Sequence, residues 1–90
     1  MKITAVQLIE YAYRNKITSW TADHCATCDY PIKFLFIDEH TVKHDPGCSC
    51  GEETLRHTRY ESSSWQLVAD WINQQTDEEK IKEIKTFWKI

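Results

Sequence analysis

Four cysteines in two close pairs are the residues of this chain whose type and spacing most clearly indicate chemistry. Two residues separate Cys25 from Cys28, one residue separates Cys48 from Cys50, and nineteen residues lie between the pairs. Zinc prefers thiolate ligands, and a structural zinc site normally fills all four tetrahedral positions with protein side chains. The spacing therefore predicts one structural Zn²⁺ bound by all four cysteines.

The residues that shape the backbone lie around the same two pairs. Both glycines of the chain, Gly47 and Gly51, flank the second pair, and both prolines, Pro31 and Pro46, lie just outside the pairs. Glycine adopts positive φ angles and lets amide groups approach a sulfur atom closely. These positions favour tight metal-binding turns.

Other ligand sets and other cysteine chemistry remain open. His24 or His44 could replace one cysteine, since sites with three cysteines and one histidine occur. Two disulfides would suit an exported protein, and a thioredoxin-like redox pair would need a βαβ setting around Cys25. A catalytic zinc would need an open ligand position and a general base such as Asp29 or Asp45. Four thiolate ligands leave no such position, and the sequence predicts no catalytic residues.

A β-hairpin between the cysteine pairs would bring them together. Residues 32–37 are rich in aromatic and β-branched side chains, and residues 41–44 supply a partner strand. Asp38, midway between Cys28 and Cys48, lies in the predicted turn. Residues 54–60 alternate as a third strand at an edge. The sequence therefore predicts a three-stranded antiparallel sheet that assembles the zinc site.

Helices are predicted on both sides of this sheet. Thr4 and Gln7 form a capping-box pattern that begins a first helix ending near Asn15. Its apolar residues recur at helical spacing and include Val6 and Tyr13. Residues 17–21 are predicted as a loop that packs Trp20 on the core.

Two further helices are predicted in the C-terminal third. Ser63 with Gln66 repeats the capping-box pattern, and residues 76–79 begin the last helix with acids that favour a helix N-terminus. Their predicted apolar stripes contain Trp65, Val68, Ala69 and Ile72, with Leu67 and Trp71 extending the first, and Ile81, Ile84, Phe87 and Trp88. We predict a small α+β fold in a single domain, residues 1–90, made of an N-terminal helix and loop (1–20), a zinc-bound β unit (24–60) and a helical pair (62–90).

The motifs Cys25-x-x-Cys28 and Cys48-x-Cys50-Gly51 resemble those of zinc-ribbon modules, in which two cysteine knuckles and a short β-sheet enclose one zinc ion. The resemblance covers about residues 24–60. Two features depart from the ribbon pattern: the second pair is spaced by one residue, and Asp29 follows Cys28 where glycine is common. The helical ends also resemble those of small phage or prophage proteins.

Composition and charge narrow the function classes. The 90 residues are 41% hydrophobic, which is enough for a folded core, and their net charge of −3 argues against a protein that simply adheres to nucleic acid. The start of the chain lacks the apolar region of a secretory signal, and no apolar run reaches the roughly 20 residues of a membrane span. We expect a cytoplasmic protein with no membrane partner.

Basic side chains on the predicted strands form a possible binding face, composed of Lys33, Lys43, Arg56 and Arg59 beside Tyr60. Because the four cysteines close the metal site and have no catalytic partners, we expect a non-enzymatic protein–protein interaction module. A phage-encoded binder or inhibitor of a host protein is one form of it. The alternative is a zinc ribbon that binds nucleic acid as a transcription or replication accessory.

Overall fold

The computed structural model of the chain describes residues 2–24, 31–44 and 61–90. Its elements are, in chain order, α1 (Ala5–Arg14), β1 (Ser19–His24), β2 (Pro31–Phe36), β3 (Val42–His44), β4 (Glu61–Ser63), α2 (Trp65–Asn73) and α3 (Glu78–Trp88). The described residues thus form an α+β fold of three helices and one open antiparallel sheet of four strands. The predicted fold class is confirmed.

The sheet is a meander in which the strands lie side by side in chain order. β2 and β3 form the predicted hairpin, with Phe36 opposite Val42, and Asp38 lies in its turn. The Asp38 carboxylate accepts hydrogen bonds from the amides of His40 and Thr41, at 2.8 and 2.7 Å. An aspartate that bonds to backbone groups ahead of it stabilises such turns locally.

The number of strands differs from the prediction, because four strands occur where the sequence predicted three. Residues 17–21 were predicted as a loop, but Ser19–His24 is β1, which pairs with β2. Trp20 and Ala22 are buried and Thr21 between them is exposed, as in a half-buried strand. A register shift between Thr21 and Asp23 interrupts this alternation. The strand predicted over residues 54–60 lies outside the described residues.

The helix starts were predicted with mixed success. Thr4 caps α1 in a complete capping box with Gln7, as predicted. The capping box predicted at Ser63 and Gln66 is wrong, because Ser63 is the last residue of β4 and the N-cap of α2 is Ser64. The Ser64 side chain makes no capping hydrogen bond. Pairing within the sheet therefore decides where α2 begins.

The core lies between one face of the sheet and the three helices. Trp20 is at its centre, with ring centroids 5.4 Å from Trp88, 5.7 Å from Trp71 and 5.8 Å from Phe34. Trp65 and Trp88 are buried and Trp71 is half-buried, so the tryptophans predicted for the core do lie in or against it. The other buried hydrophobic residues are Ile3, Leu8, Ala12, Ala22, Phe36, Val42, Val68, Ala69, Ile72 and Ile84.

Two polar contacts tie distant elements together. Asn73 at the end of α2 accepts a hydrogen bond from the Ile3 amide (2.8 Å) and donates one to the Ile3 carbonyl (2.9 Å). Lys80 in α3 donates to the Ala22 carbonyl (3.3 Å), and its Nζ lies 3.1 Å from Asp23 Oδ1. These contacts hold the first residues of the chain against α2, and α3 against β1.

The Lys80–Asp23 pair shifts the pKa of both groups. Partial burial disfavours each charge, but hydrogen bonding and charge attraction outweigh it. The pKa of Asp23 is therefore lowered from its ordinary value by the His24 amide and by Lys80. The pKa of Lys80 is raised by Asp23 and Glu83. Both groups are held in their charged forms.

Candidate functional site

The predicted zinc ligands Cys25, Cys28, Cys48 and Cys50 lie outside the described residues, as do Arg56, Arg59 and Tyr60 of the predicted binding face. In residues 2–24, 31–44 and 61–90, no three His, Cys, Asp or Glu side chains are grouped so as to hold a metal ion. The four-cysteine zinc site therefore stays a prediction. The described strands show where the two cysteine-bearing segments attach to the sheet.

Both cysteine-bearing segments attach at one end of the sheet. His24 is opposite Pro31 across β1 and β2, and residues 25–30 connect these two positions. His44 is opposite Glu61 across β3 and β4, and residues 45–60 connect them. The turn at Asp38 lies at the other end of β2 and β3. Because the strands are antiparallel, the attachment points of both segments share the end away from that turn.

The two histidines that could replace a cysteine ligand lie at this end and differ in environment. His24 is exposed. His44 is half-buried, its ring stacks on Phe34 with centroids 6.1 Å apart, and its Nδ1 is buried without a hydrogen-bond partner in the described ranges. Buried polar atoms are normally paired. Of the two histidines, His44 is therefore the one whose buried ring nitrogen has no partner among the described residues.

The sheet face opposite the helices brings Lys33 and Lys43 together. The register aligns Ser19, Leu35, Lys43 and Ser62 in one row across the four strands. Lys33 is two residues from Leu35 along β2 and therefore on the same face. The two lysines are diagonal neighbours, about 7–8 Å apart between Cα atoms. Two of the five residues predicted for the binding face thus share one face of the sheet, on which Lys43 is exposed and Lys33 half-buried.

A surface cleft lies between α1 and the end of α3. Its lining includes Tyr11, Arg14, Trp88, Lys89 and Ile90. Trp88 Nε1 is buried and has no hydrogen-bond partner within the described part of the chain. None of the described residues lining this cleft is a serine, cysteine or histidine. The cleft therefore combines apolar walls with the charged side chains of Glu10, Arg14 and Lys89.

A second apolar surface was not identified from the sequence. Val6 and Tyr13 in α1 are 62% and 53% exposed, and Ile37 at the β2–β3 turn is 54% exposed. The helical spacing grouped Val6 and Tyr13 with core residues such as Leu8. Residues 5, 6, 8, 9, 12 and 13 are all apolar or aromatic, which makes the stripe wider than the roughly 100° that a core-facing helix needs. This excess width was the feature of the sequence that could have indicated an exposed apolar surface on α1.

Comparison of the chain with protein-family models, with curated proteins and with solved structures found no significant match. The resemblance to zinc ribbons therefore depends on the cysteine spacing itself. None of the helices in the described ranges is long and apolar enough to cross a membrane.

Proposed function

We propose that this chain is a non-enzymatic protein-interaction module whose fold is stabilised by one Zn²⁺ bound to Cys25, Cys28, Cys48 and Cys50. The observation that supports the metal site best is that the sheet attaches residues 25–30 and 45–60 at the same end. Structural zinc contributes directly to the free energy of folding. A chain of 90 residues gains from this, because small domains bury a limited fraction of their surface.

The strand ends leave enough chain for the two cysteine pairs to meet. His44 is opposite Phe34, three residues along β2 from Pro31. Pro31, where residues 25–30 end, and His44, where residues 45–60 begin, are therefore about 10 Å apart along the strand direction, at about 3.3 Å per residue. Cys28 is three residues from Pro31 and Cys48 is four residues from His44, and an extended chain spans up to about 3.3–3.6 Å per residue. The combined reach of the two segments exceeds the separation.

Metal analysis of the purified chain tests the zinc site. We expect one zinc per chain, four sulfur ligands in the zinc-edge absorption spectrum, and a loss of far-UV circular dichroism when a strong chelator removes the metal. Cys28→Ser should weaken zinc binding, whereas Ser49→Ala, between the cysteines of the second pair, should leave it unchanged. A fully folded, metal-free chain would refute the structural role. A spectrum with three sulfur ligands and one nitrogen ligand would instead indicate that His44 takes the place of one cysteine. In that case the nitrogen ligand should be lost in His44→Ala.

Nucleic-acid binding is the second candidate, and the open sheet face supports it. Lys33 and Lys43 lie on this face, and the residues beside them in the described strands are Ser19, Thr21, Leu35 and Ser62, with no carboxylate among them. Lysines on such a surface can neutralise phosphates. The double variant Lys33→Glu/Lys43→Glu should then abolish binding to DNA and RNA at low salt. The matched control is Lys82→Glu/Lys85→Glu on α3. Absence of binding by the unmodified chain would exclude this function.

A further inference from the structure

Three exposed apolar side chains lie on α1 and the β2–β3 turn. Val6 and Tyr13 are seven residues apart, two helical turns, and therefore point to the same side of α1. Ile37 is exposed where β2 ends. These are three of the five large hydrophobic residues that are exposed in the described part of the chain. Isolated exposed hydrophobic residues are ordinary, but a group of them indicates an interaction surface.

Backbone contacts place the end of α1 beside Ile37. The Ile17 amide donates to the Ala12 carbonyl (2.9 Å), which folds the chain back at the end of the helix. The Thr18 carbonyl accepts a hydrogen bond from the Phe36 amide (2.9 Å), and Ile37 is the next residue. Desolvation, followed by the Glu39 and Asp38 carboxylates, raises the pKa of Tyr13. The Tyr13 phenol is therefore close enough to the turn to be affected by its charges.

The turn that presents Ile37 is held on several sides. The Asp38 carbonyl accepts a hydrogen bond from Trp65 Nε1 (2.7 Å), which fixes the turn to α2. The Ile37 amide donates to the Thr41 carbonyl (3.1 Å). Ile37 thus has an anchored backbone and an exposed side chain. A residue held in this way loses little conformational entropy on binding.

Three carboxylates lie beside these apolar side chains, together with Arg14, which is four residues after Glu10. Glu10 is four residues after Val6 and three before Tyr13, so it lies on the same side of α1. Asp38 and Glu39 follow Ile37 in the turn. Hydrogen bonds, first from the His40 amide, lower the pKa of Asp38. His40 Nε2 lies 3.3 Å from Glu39 Oε1, and Arg14 and Lys16 are the cations nearest to Tyr13 in sequence. The three carboxylates therefore leave a small excess of negative charge at neutral pH.

We propose that Val6, Tyr13 and Ile37, with Glu10, Asp38 and Glu39 around them, form a docking surface for a basic segment of a partner protein. We call these six residues the α1–turn surface. Apolar side chains of the segment contact the three hydrophobic residues, and its Lys or Arg side chains pair with the carboxylates. The inference rests on the proposed role as an interaction module and specifies its partner class.

Charge complementarity favours a basic peptide segment over a second copy of the chain or nucleic acid as the ligand of this surface. A second copy of the chain, docked symmetrically through the same surface, would bring two sets of Glu10, Asp38 and Glu39 into one interface. Like charges brought together in an interface disfavour association. Nucleic acid would place phosphates against the same carboxylates. A basic peptide segment is the occupant that satisfies both the apolar and the charged part of the surface.

Selection of short random displayed peptides on the zinc-loaded full chain tests the inference. We expect the selected peptides to combine Lys or Arg with Leu, Phe or Trp. Ile37→Ser should weaken their binding about tenfold or more, as loss of an interface anchor does. Ile90→Ser is the matched control, because Ile90 is a 49% exposed isoleucine outside the α1–turn surface. Its binding should equal that of the unmodified chain, and melting temperatures should show that both variants are folded.

Charge reversal gives an independent readout. Glu39→Lys should weaken binding of the same peptides and reduce its dependence on salt, because an exposed carboxylate that pairs with the ligand is screened by ions. Acidic or uncharged selected peptides, equal binding by Ile37→Ser, or a dimer that buries the α1–turn surface would each overturn the inference. Zinc content is measured on the same samples. A zinc-loaded, folded chain that selects no basic peptide refutes the docking inference alone, whereas a zinc-free chain that selects basic peptides refutes the metal site alone.

Discussion

The hydrogen bond between Trp65 and the β2–β3 turn can be tested by Trp65→Phe. Trp65 is 2% exposed, and its Nε1 donates to the Asp38 carbonyl at 2.7 Å. Its ring stacks on Phe36 with centroids 4.4 Å apart. Phenylalanine keeps an aromatic ring against Phe36, but it lacks the N–H group and the second ring of the indole. The substitution therefore removes one hydrogen bond and leaves a small cavity.

The size of the effect follows from these two losses. A neutral intramolecular hydrogen bond contributes about 1 kcal/mol. The missing ring leaves a cavity that costs about 1–2 kcal/mol more. The free energy of unfolding should therefore fall by about 2–3 kcal/mol, which in a domain of this size lowers the melting temperature by roughly 10–20 °C.

Trp88→Phe is the control for the hydrogen bond. Trp88 is 1% exposed, and its Nε1 has no partner in the described residues. The same substitution there creates a cavity but also removes an unpaired buried donor, which is itself costly. In urea unfolding, Trp65→Phe should be less stable than Trp88→Phe by about 1 kcal/mol. Equal stability of the two variants, or a less stable Trp88→Phe, would refute the assigned role of the Trp65 hydrogen bond.

Three further predictions concern stability. Because the folded-state pKa of Asp23 is lowered, its pairing with Lys80 stabilises the fold above the ordinary aspartate pKa of 3.8, and this stabilisation is lost as the pH falls below that value. In urea unfolding at several pH values, Asp23→Asn should be less stable than the unmodified chain at neutral pH and should lose stability less steeply in acid. Parallel acid profiles of the two proteins would contradict this. Asn73→Ala should lower the free energy of unfolding by about 1–2 kcal/mol, because it removes the hydrogen bonds to both backbone groups of Ile3. Unchanged hydrogen exchange of the Ile3 amide would contradict this role of Asn73. Lys16 has φ 55°, so Lys16→Gly should raise the free energy of unfolding by about 0.5–1 kcal/mol while Lys16→Ala does not, and thermal unfolding that ranks the two variants equally would contradict this.

Elements specified by nearby residues could be predicted from the sequence. Thr4 and Gln7 define the start of α1 within four residues, and the hairpin around Asp38 depends on contiguous strand and turn signals. The start of α2 could not be read in this way. Three consecutive serines precede Trp65, and pairing of Ser63 with Val42 places that serine in the sheet. A contact between residues far apart in the chain decided between equivalent local signals.

The proposed binding surfaces also combine features that the sequence predicts with features that it does not. Lys33 and Lys43 were predicted to belong to one binding face because both lie on predicted strands, and the register between β2 and β3 places them on one side of the sheet. The exposure of Val6 and Tyr13 could not be predicted, because it depends on which side of α1 the other elements cover. Leu8 and Ala12, on the other side of the helix, are fully buried. The residues that spacing groups into one apolar stripe are thus divided between the core and the surface by tertiary packing.

The meander order of the sheet has a consequence for the folding kinetics. Neighbouring strands in the sheet are neighbours in the chain, so the β1–β2 and β2–β3 hairpins close over short distances and should form early. Docking of α3 is different, because Lys80 and Ala22 are 58 residues apart in sequence. Until that docking occurs, Trp20 lacks its contacts with Phe87 and Trp88. Burial of Trp20 should therefore be a late step of folding, and the change in Trp20 fluorescence should coincide with the docking of α3.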